Sequence, residues 1–288
     1  MKKLFLLLSL PVLLLAACDK VKTPIIPQNG AVGKTFTTKS NKTVNSFYKV
    51  LIEDYTGHTC GNCPKAGAAA DALVLAYGNK VVVMAVHAGP YAYPAAGFPQ
   101  NFQTHAGTTW DSKSYFGVSG IGNPNGLINR KPYGGSIVES YTQWDATVVN
   151  ALAVESMTVK LLVTTNYDPT ARALNTDIVA EYQSDYANDV NVLAVIIEDG
   201  IIGAQTNYSK YPDRDTLNVF NHVLRGSLNG DFGNLLKSGP SAAGDSAFVS
   251  NKNFKLDASF NDNNISVVVF AFDAKTLEVI QAEKVKIR

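Results

Sequence analysis

Cysteine is scarce in this chain, with three residues among 288. One of them, Cys18, closes an N-terminal leader. Cys60 and Cys63 are then left as the single remaining pair, too few for a scaffold of structural disulfides. An excess of either charge is also missing. Lys and Arg number 25 against 24 Asp and Glu, so the basic stripe of a nucleic-acid binder is absent. Histidine is rare: His87 and His105 have no partner histidine at metal-ligand spacing, and the cysteine pair has no second ligand pair nearby. No metal and no cofactor is expected. No Ser-His-Asp or Cys-His grouping supports a nucleophilic hydrolase. No further uninterrupted apolar run follows the leader, so the folded body is expected to be tethered and not to span the bilayer.

The leader itself is well marked. Lys2 and Lys3 precede an apolar run over residues 4–15, followed by Ala16, Ala17 and Cys18. Residues 1–17 read as a signal peptide, too short for an ordinary transmembrane helix. The ending Leu15-Ala16-Ala17-Cys18 resembles the lipobox of bacterial lipoproteins. That resemblance implies cleavage before Cys18, acylation of its thiol, and anchoring in a lipid bilayer. Residues 18–45 read as the lipid anchor and tether, with Pro24-Ile25-Ile26-Pro27-Gln28-Asn29-Gly30 as punctuation.

The rest of the chain is organised around Thr56-Gly57-His58-Thr59-Cys60-Gly61-Asn62-Cys63-Pro64-Lys65. An apolar strand over residues 48–54 leads in, and an Ala/Leu-rich helix over 66–77 leads out, ending near Gly78 and Asn79. A Cys-x-x-Cys pair between strand and helix is a redox arrangement. The helix N-terminus stabilises a thiolate at Cys60, and Cys63 resolves a mixed disulfide formed there. Cys60 is expected to be the more exposed, attacking thiol. Pro64 suits the first helical turn. His58, if protonated, would stabilise the Cys60 thiolate; a solvated loop histidine is the alternative. A structural disulfide remains the alternative for the pair.

Residues 81–86 form a second, β-branched strand, so strand, helix and parallel strand open an α/β domain. An insert over residues 87–115 carries Tyr91, Tyr93, Phe98, Phe102 and Trp110, read as local core packing or as a cap over the cysteine helix. Asn123-Pro124-Asn125-Gly126 forms a turn before a short strand. Residues 136–154 show helical spacing through Ile137, Tyr141, Trp144, Val148 and Leu152. Beyond about residue 154 the composition changes to short strands between Thr-, Asn- and Asp-rich turns: 157–165, 173–182, 190–198, 247–256, 265–273 and 278–286. This pattern favours an all-β, immunoglobulin-like sandwich over residues 155–288, after an α/β domain over 46–154.

The cysteine stretch and Asn123-Pro124 resemble thioredoxin-like proteins. The resemblance implies that Pro124 is cis and lies against the redox pair. It also implies that Asp54, six residues before Cys60, is a buried carboxylate serving Cys63; a strand-end residue bonded to backbone or lysine is the alternative. Thr59 before the first cysteine and Gly61-Asn62 between the two depart from the thioredoxin pattern. A second resemblance is to the Omp28-related outer-membrane lipoproteins of Bacteroidota. It is carried by Val50-Leu51-Ile52-Glu53-Asp54-Tyr55-Thr56-Gly57, Cys60-Gly61-Asn62-Cys63-Pro64, Val86-His87-Ala88-Gly89 and Asn221-His222-Val223-Leu224-Arg225. It implies a thioredoxin-like domain followed by a β-sandwich at the outer membrane, on the periplasmic or the cell-surface face. Two functions follow: thiol–disulfide exchange on exported proteins, or a non-enzymatic surface adhesin or receptor with a structural disulfide.

Overall fold

The computed structural model describes residues 39–44 and 46–288. The signal peptide, Cys18 and most of the tether lie outside the described residues. The description opens with β1 (Lys39–Val44). β2 (Val50–Thr56) follows and is buried at every position. α1 (Cys63–Tyr77) starts with Pro64 in its first turn and stops at Gly78, where φ is +58°; both suit helix ends. Its Cys63, Ala66, Ala70 and Leu73 face inward at helical spacing. β3 (Val81–His87), also fully buried, runs parallel to β2 with Asp54 opposite Ala85. Continuous burial of this kind marks strands covered on both faces.

The insert contains α2 (His105–Trp110), capped by Thr104, whose Oγ1 accepts from Gly107 N. α3 (Val118–Ile121) follows, then β4 (Asn125–Ile128) and β5 (Val138–Ser140). α4 (Trp144–Val154) is shorter than the helix expected over 136–154. Residues 138–140 instead pair antiparallel with β4 and close that edge of the sheet. Helical spacing of Ile137 and Tyr141 therefore reflects packing against two different cores, one beside β4 and one under α4.

β6 (Val159–Asp168) and β7 (Ala173–Tyr182) alternate buried and partly exposed positions, the pattern of half-buried antiparallel strands. β8 (Val190–Glu198) is buried along nearly its whole length. β9 (Ile201–Thr206) and β10 (Arg214–Phe220) form a separate two-stranded ribbon. β11 (Val223–Ser227), β12 (Asn234–Lys237), β13 (Ser246–Lys255), β14 (Ile265–Asp273) and β15 (Val279–Lys286) complete the order.

These strands do not form an independent immunoglobulin-like sandwich. A nine-stranded sheet runs in the order β15-β14-β8-β11-β3-β2-β4-β5, with β12 also on β8. It crosses the composition change at residue 154 because β11 adds parallel to the free edge of β3, Val223 opposite Ala85. A second sheet, β1-β6-β7-β13, covers the β8 and β14 end through a core that includes Leu161, Ile178, Val192 and Val267. α1 and α4 cover the β2 and β3 end on the same side, over Val50, Ile52 and Val83, with Trp144 of α4 in that core. The opposite face buries Tyr55, Met84, Trp110, Phe270 and Phe272. The described residues fall in a single compact unit.

On that opposite face Arg130 donates from Nε and Nη2 to the two carboxylate oxygens of Glu53, at 2.7 and 2.8 Å, with both side chains fully buried. The rings of Trp110, Phe116 and Phe270 surround the guanidinium at about 5 Å.

Candidate functional site

β2 delivers the chain into the cysteine loop at the end of the sheet. Cys60 N donates to Gly57 O at 3.1 Å, and Cys63 N to Cys60 O at 3.3 Å, so the loop tightens directly into α1. Cys60 and Cys63 are joined as a disulfide. Both are 3% exposed; the expected difference in exposure between an attacking and a buried thiol is absent in this oxidised form.

Two segments far away in sequence account for that burial. From the insert, the Tyr91 carbonyl accepts from both Thr59 N and Thr59 Oγ1. From the other side comes the β9–β10 ribbon. Thr206 N donates to His58 O and Tyr208 N to Gly61 O, each at 2.9 Å, while Gln205 Nε2 donates to Cys60 O at 2.9 Å. The Tyr208 ring lies over Gly61 so closely that a Cβ there would sit 2.4 Å from it. Gly57 is similarly hemmed in, by the Tyr91 backbone at 2.4 Å.

His58 is buried, its Nε2 donates to Tyr93 O at 3.0 Å, and burial lowers its pKa. Its ring stacks with His87 and Phe98 and meets Phe102 edge-on. Pro124 follows a cis Asn123–Pro124 bond. β4 runs antiparallel to β2 with Asn125 opposite Tyr55, and Asn123 Nδ2 donates to Tyr55 O at 2.8 Å. These contacts bring Pro124 to the end of the sheet where β2 enters the cysteine loop.

Asp54 lies on the α1 face of β2. Beside it is a cavity of about 280 Å³ lined by Asp54, Cys63, Asp71, Ala85, His87 and His222, among others. Burial raises the Asp54 pKa to about 7; the nearby His222 lowers it and Asp71 raises it. Burial also pushes His87 down to about 3, so its ring is neutral. His222 Nδ1 lies 3.0 Å from Asp199 Oδ1 and Nε2 lies 3.3 Å from Asp71 Oδ1. Burial opposes charge on its ring, but Asp199 and Asp71 outweigh that and raise its pKa. Asp199, also bound by Lys284 at 3.3 Å, is held well below the usual carboxylate range, against the opposing effect of burial. No group of three or more candidate metal ligands occurs among the described residues.

The sequence did not single out Gln205, Tyr208, Asp71 or the siting of His222. Only the stretch 221–225 drew notice, and nothing local ties it to cysteines some 160 residues earlier.

A strand, the cysteine helix, a parallel strand, two antiparallel strands and a closing helix, in sheet order β3-β2-β4-β5, define a thioredoxin-like unit with an oxidised Cys-x-x-Cys pair. Residues 110–288 match the family model "Outer membrane protein Omp28", and the chain belongs to that family. The match covers Pro124 and the mostly-β part but begins after the cysteine loop. HBP35 of Porphyromonas gingivalis aligns with a TM-score of 0.60 and 16% identity, over 83% of this chain and 75% of that one, and so shares the fold. A protein of Agrobacterium tumefaciens aligns at 0.48 and 15% identity, over 85% and 96% of the two chains. A domain of the outer membrane lipoprotein Omp28 from Porphyromonas gingivalis aligns at 0.29 and 18%, over 45% and 87%. No curated protein matches the sequence.

Proposed function

We propose that this protein exchanges thiols and disulfides with exported proteins. The observation that carries the reading is the disulfide at the start of α1 together with the buried Asp54 carboxyl on the cavity that Cys63 lines. A substrate thiolate attacks Cys60 Sγ and the Cys60–Cys63 bond breaks. Cys63 leaves as a thiolate and takes the proton held by Asp54. A second substrate thiolate then attacks the mixed disulfide, releasing an oxidised substrate and the Cys60 thiolate. The same steps in reverse reduce a substrate disulfide. Pro124 orients the substrate backbone beside the pair, and the β9–β10 ribbon moves aside to admit it.

In this reading the mature chain sits at the outer membrane, held by acylated Cys18; family membership supports the location. Mass spectrometry of the mature N-terminus is expected to find lipid on Cys18, and Cys18→Ser to release the chain from the membrane fraction.

One observation favours a second reading. Both cysteines are buried and Gln205 of the ribbon binds the Cys60 carbonyl, as suits a structural disulfide in a surface adhesin or receptor. Trapping separates the two. Cys63→Ser is expected to accumulate a mixed disulfide through Cys60, and Cys60→Ser is not. A wild-type pair that neither exchanges with glutathione nor traps an exported protein defeats the exchange reading.

A further inference from the structure

We infer that His222 is a positioning residue that relays protons between buried Asp54 and solvent, with Asp71 at the outer end. The inference rests on the exchange reading and adds to it the route by which the Asp54 proton leaves and returns. Three features of the fold carry it.

The first is the sheet register. Asp54 on β2, Ala85 on β3 and Val223 on β11 lie in one row across three strands. Ala85 N donates to the carbonyl of His222 at 2.8 Å, which fixes that residue at the end of the row. The middle position is alanine, and its small side chain leaves open the space between the carboxyl and the imidazole. The cavity occupies that space.

The second is the set of buried polar atoms on the cavity wall. Asp54 Oδ1 and both ring nitrogens of His87 have no hydrogen-bond partner within the protein. Buried groups of this kind are ordinarily satisfied by ordered water. At roughly 30 Å³ per molecule, the cavity has room for a short water chain running from Asp54 past His87 to His222.

The third is the gradient of exposure. Asp54 is buried, the His222 side chain is 14% exposed, and the Asp71 side chain is 53% exposed. A proton passed outward meets solvent at Asp71. The charged groups facing the relay are Asp71 from α1, Asp199 after β8, and Lys284 from β15 through its contact with Asp199. Asp199 holds the ring in place, since its Oδ1 also accepts from His222 N at 2.7 Å. Burial raises the Asp54 value to about 7, and Asp199 and Asp71 raise that of His222 above its ordinary range.

When the disulfide opens, the Asp54 proton goes to the Cys63 thiolate. His222 replaces it and is itself reprotonated from solvent at Asp71. When the disulfide forms, Asp54 takes the Cys63 proton and passes it to His222.

The test uses the full chain in detergent and follows reduction of the Cys60–Cys63 bond by dithiothreitol from pH 5 to 9. That reaction is measurable whether or not exported proteins are substrates, so failure of the relay and failure of the exchange reading are seen separately. His222 has φ +57°, a conformation that asparagine and glycine tolerate. His222→Asn and His222→Gly therefore remove the ring without forcing the backbone. His222→Asn is expected to reduce about tenfold more slowly near neutral pH, less than the ~10²–10⁴ lost with a group acting directly on the reacting atom. Added imidazole is expected to restore the rate of His222→Gly, which a purely structural loss would not permit. In wild type the rate profile bends near pH 7, and in His222→Asn the bend moves upward, because His222 lowers the Asp54 value. Superimposable wild-type and His222→Asn profiles, or a slow His222→Gly at every imidazole concentration, overturn the relay.

Discussion

Asp54→Asn isolates one buried carboxyl while keeping its shape. In the folded chain Asp54 holds its proton up to about pH 7, against an ordinary value of 3.8. Between those values the unfolded chain has released the proton and the folded chain has not. The folded state then binds more protons, so this group's contribution to stability falls as pH rises through the window and is level outside it. About three pH units at 1.36 kcal/mol each put the loss at about 4 kcal/mol. The amide has no proton to lose. Relative to wild type, Asp54→Asn is therefore expected to gain about 4 kcal/mol between pH 3.5 and pH 8, whatever its offset at low pH. Urea unfolding with the disulfide intact, at four or five pH values, gives the difference curve directly. A difference that stays flat across the window refutes the reading of Asp54 as a buried, neutral acid. The same variant is expected to exchange disulfides more slowly, so a site that is more stable and less active identifies the carboxyl as retained for chemistry.

Gly57→Ala places a Cβ against the Tyr91 backbone and is expected to cost about 1–3 kcal/mol; an unchanged unfolding midpoint argues against a rigid clamp. Gln205→Ala removes the bond to the Cys60 carbonyl and is expected to cost about 1 kcal/mol while speeding reduction of the disulfide, read by thiol alkylation. Unaltered reduction kinetics show that the ribbon does not guard the pair. Arg130→Met leaves Glu53 buried without its partner and is expected to cost about 3–5 kcal/mol. Adding Glu53→Met recovers most of that, and simple additivity in the double variant excludes the coupling.

Much of the local structure is legible in the chain itself. Residues 173–182, 190–198 and 265–273 read as strands and are β7, β8 and β14, because alternation and β-branched runs report burial over a few neighbouring residues. The cysteine helix is equally plain, since Pro64 and Gly78 mark its ends by their own backbone preferences. Residues 138–140 mislead, because their pairing with β4 is a contact between segments that no local period records.

The sequence by itself determined the Cys-x-x-Cys loop with its strand and helix, and a later run of strands. Tertiary structure alone decided that β8, β11, β14 and β15 extend the first sheet while β6, β7 and β13 form a second one, since a strand's pattern does not state which edge it joins. That choice of edge brings His222 into line with Asp54 across Ala85, and sets Gln205 on the Cys60 carbonyl and Tyr208 over Gly61. The chemistry around the disulfide is therefore assembled by pairings between residues 54, 85, 205 and 222, whose contacts exist only once the sheet has formed.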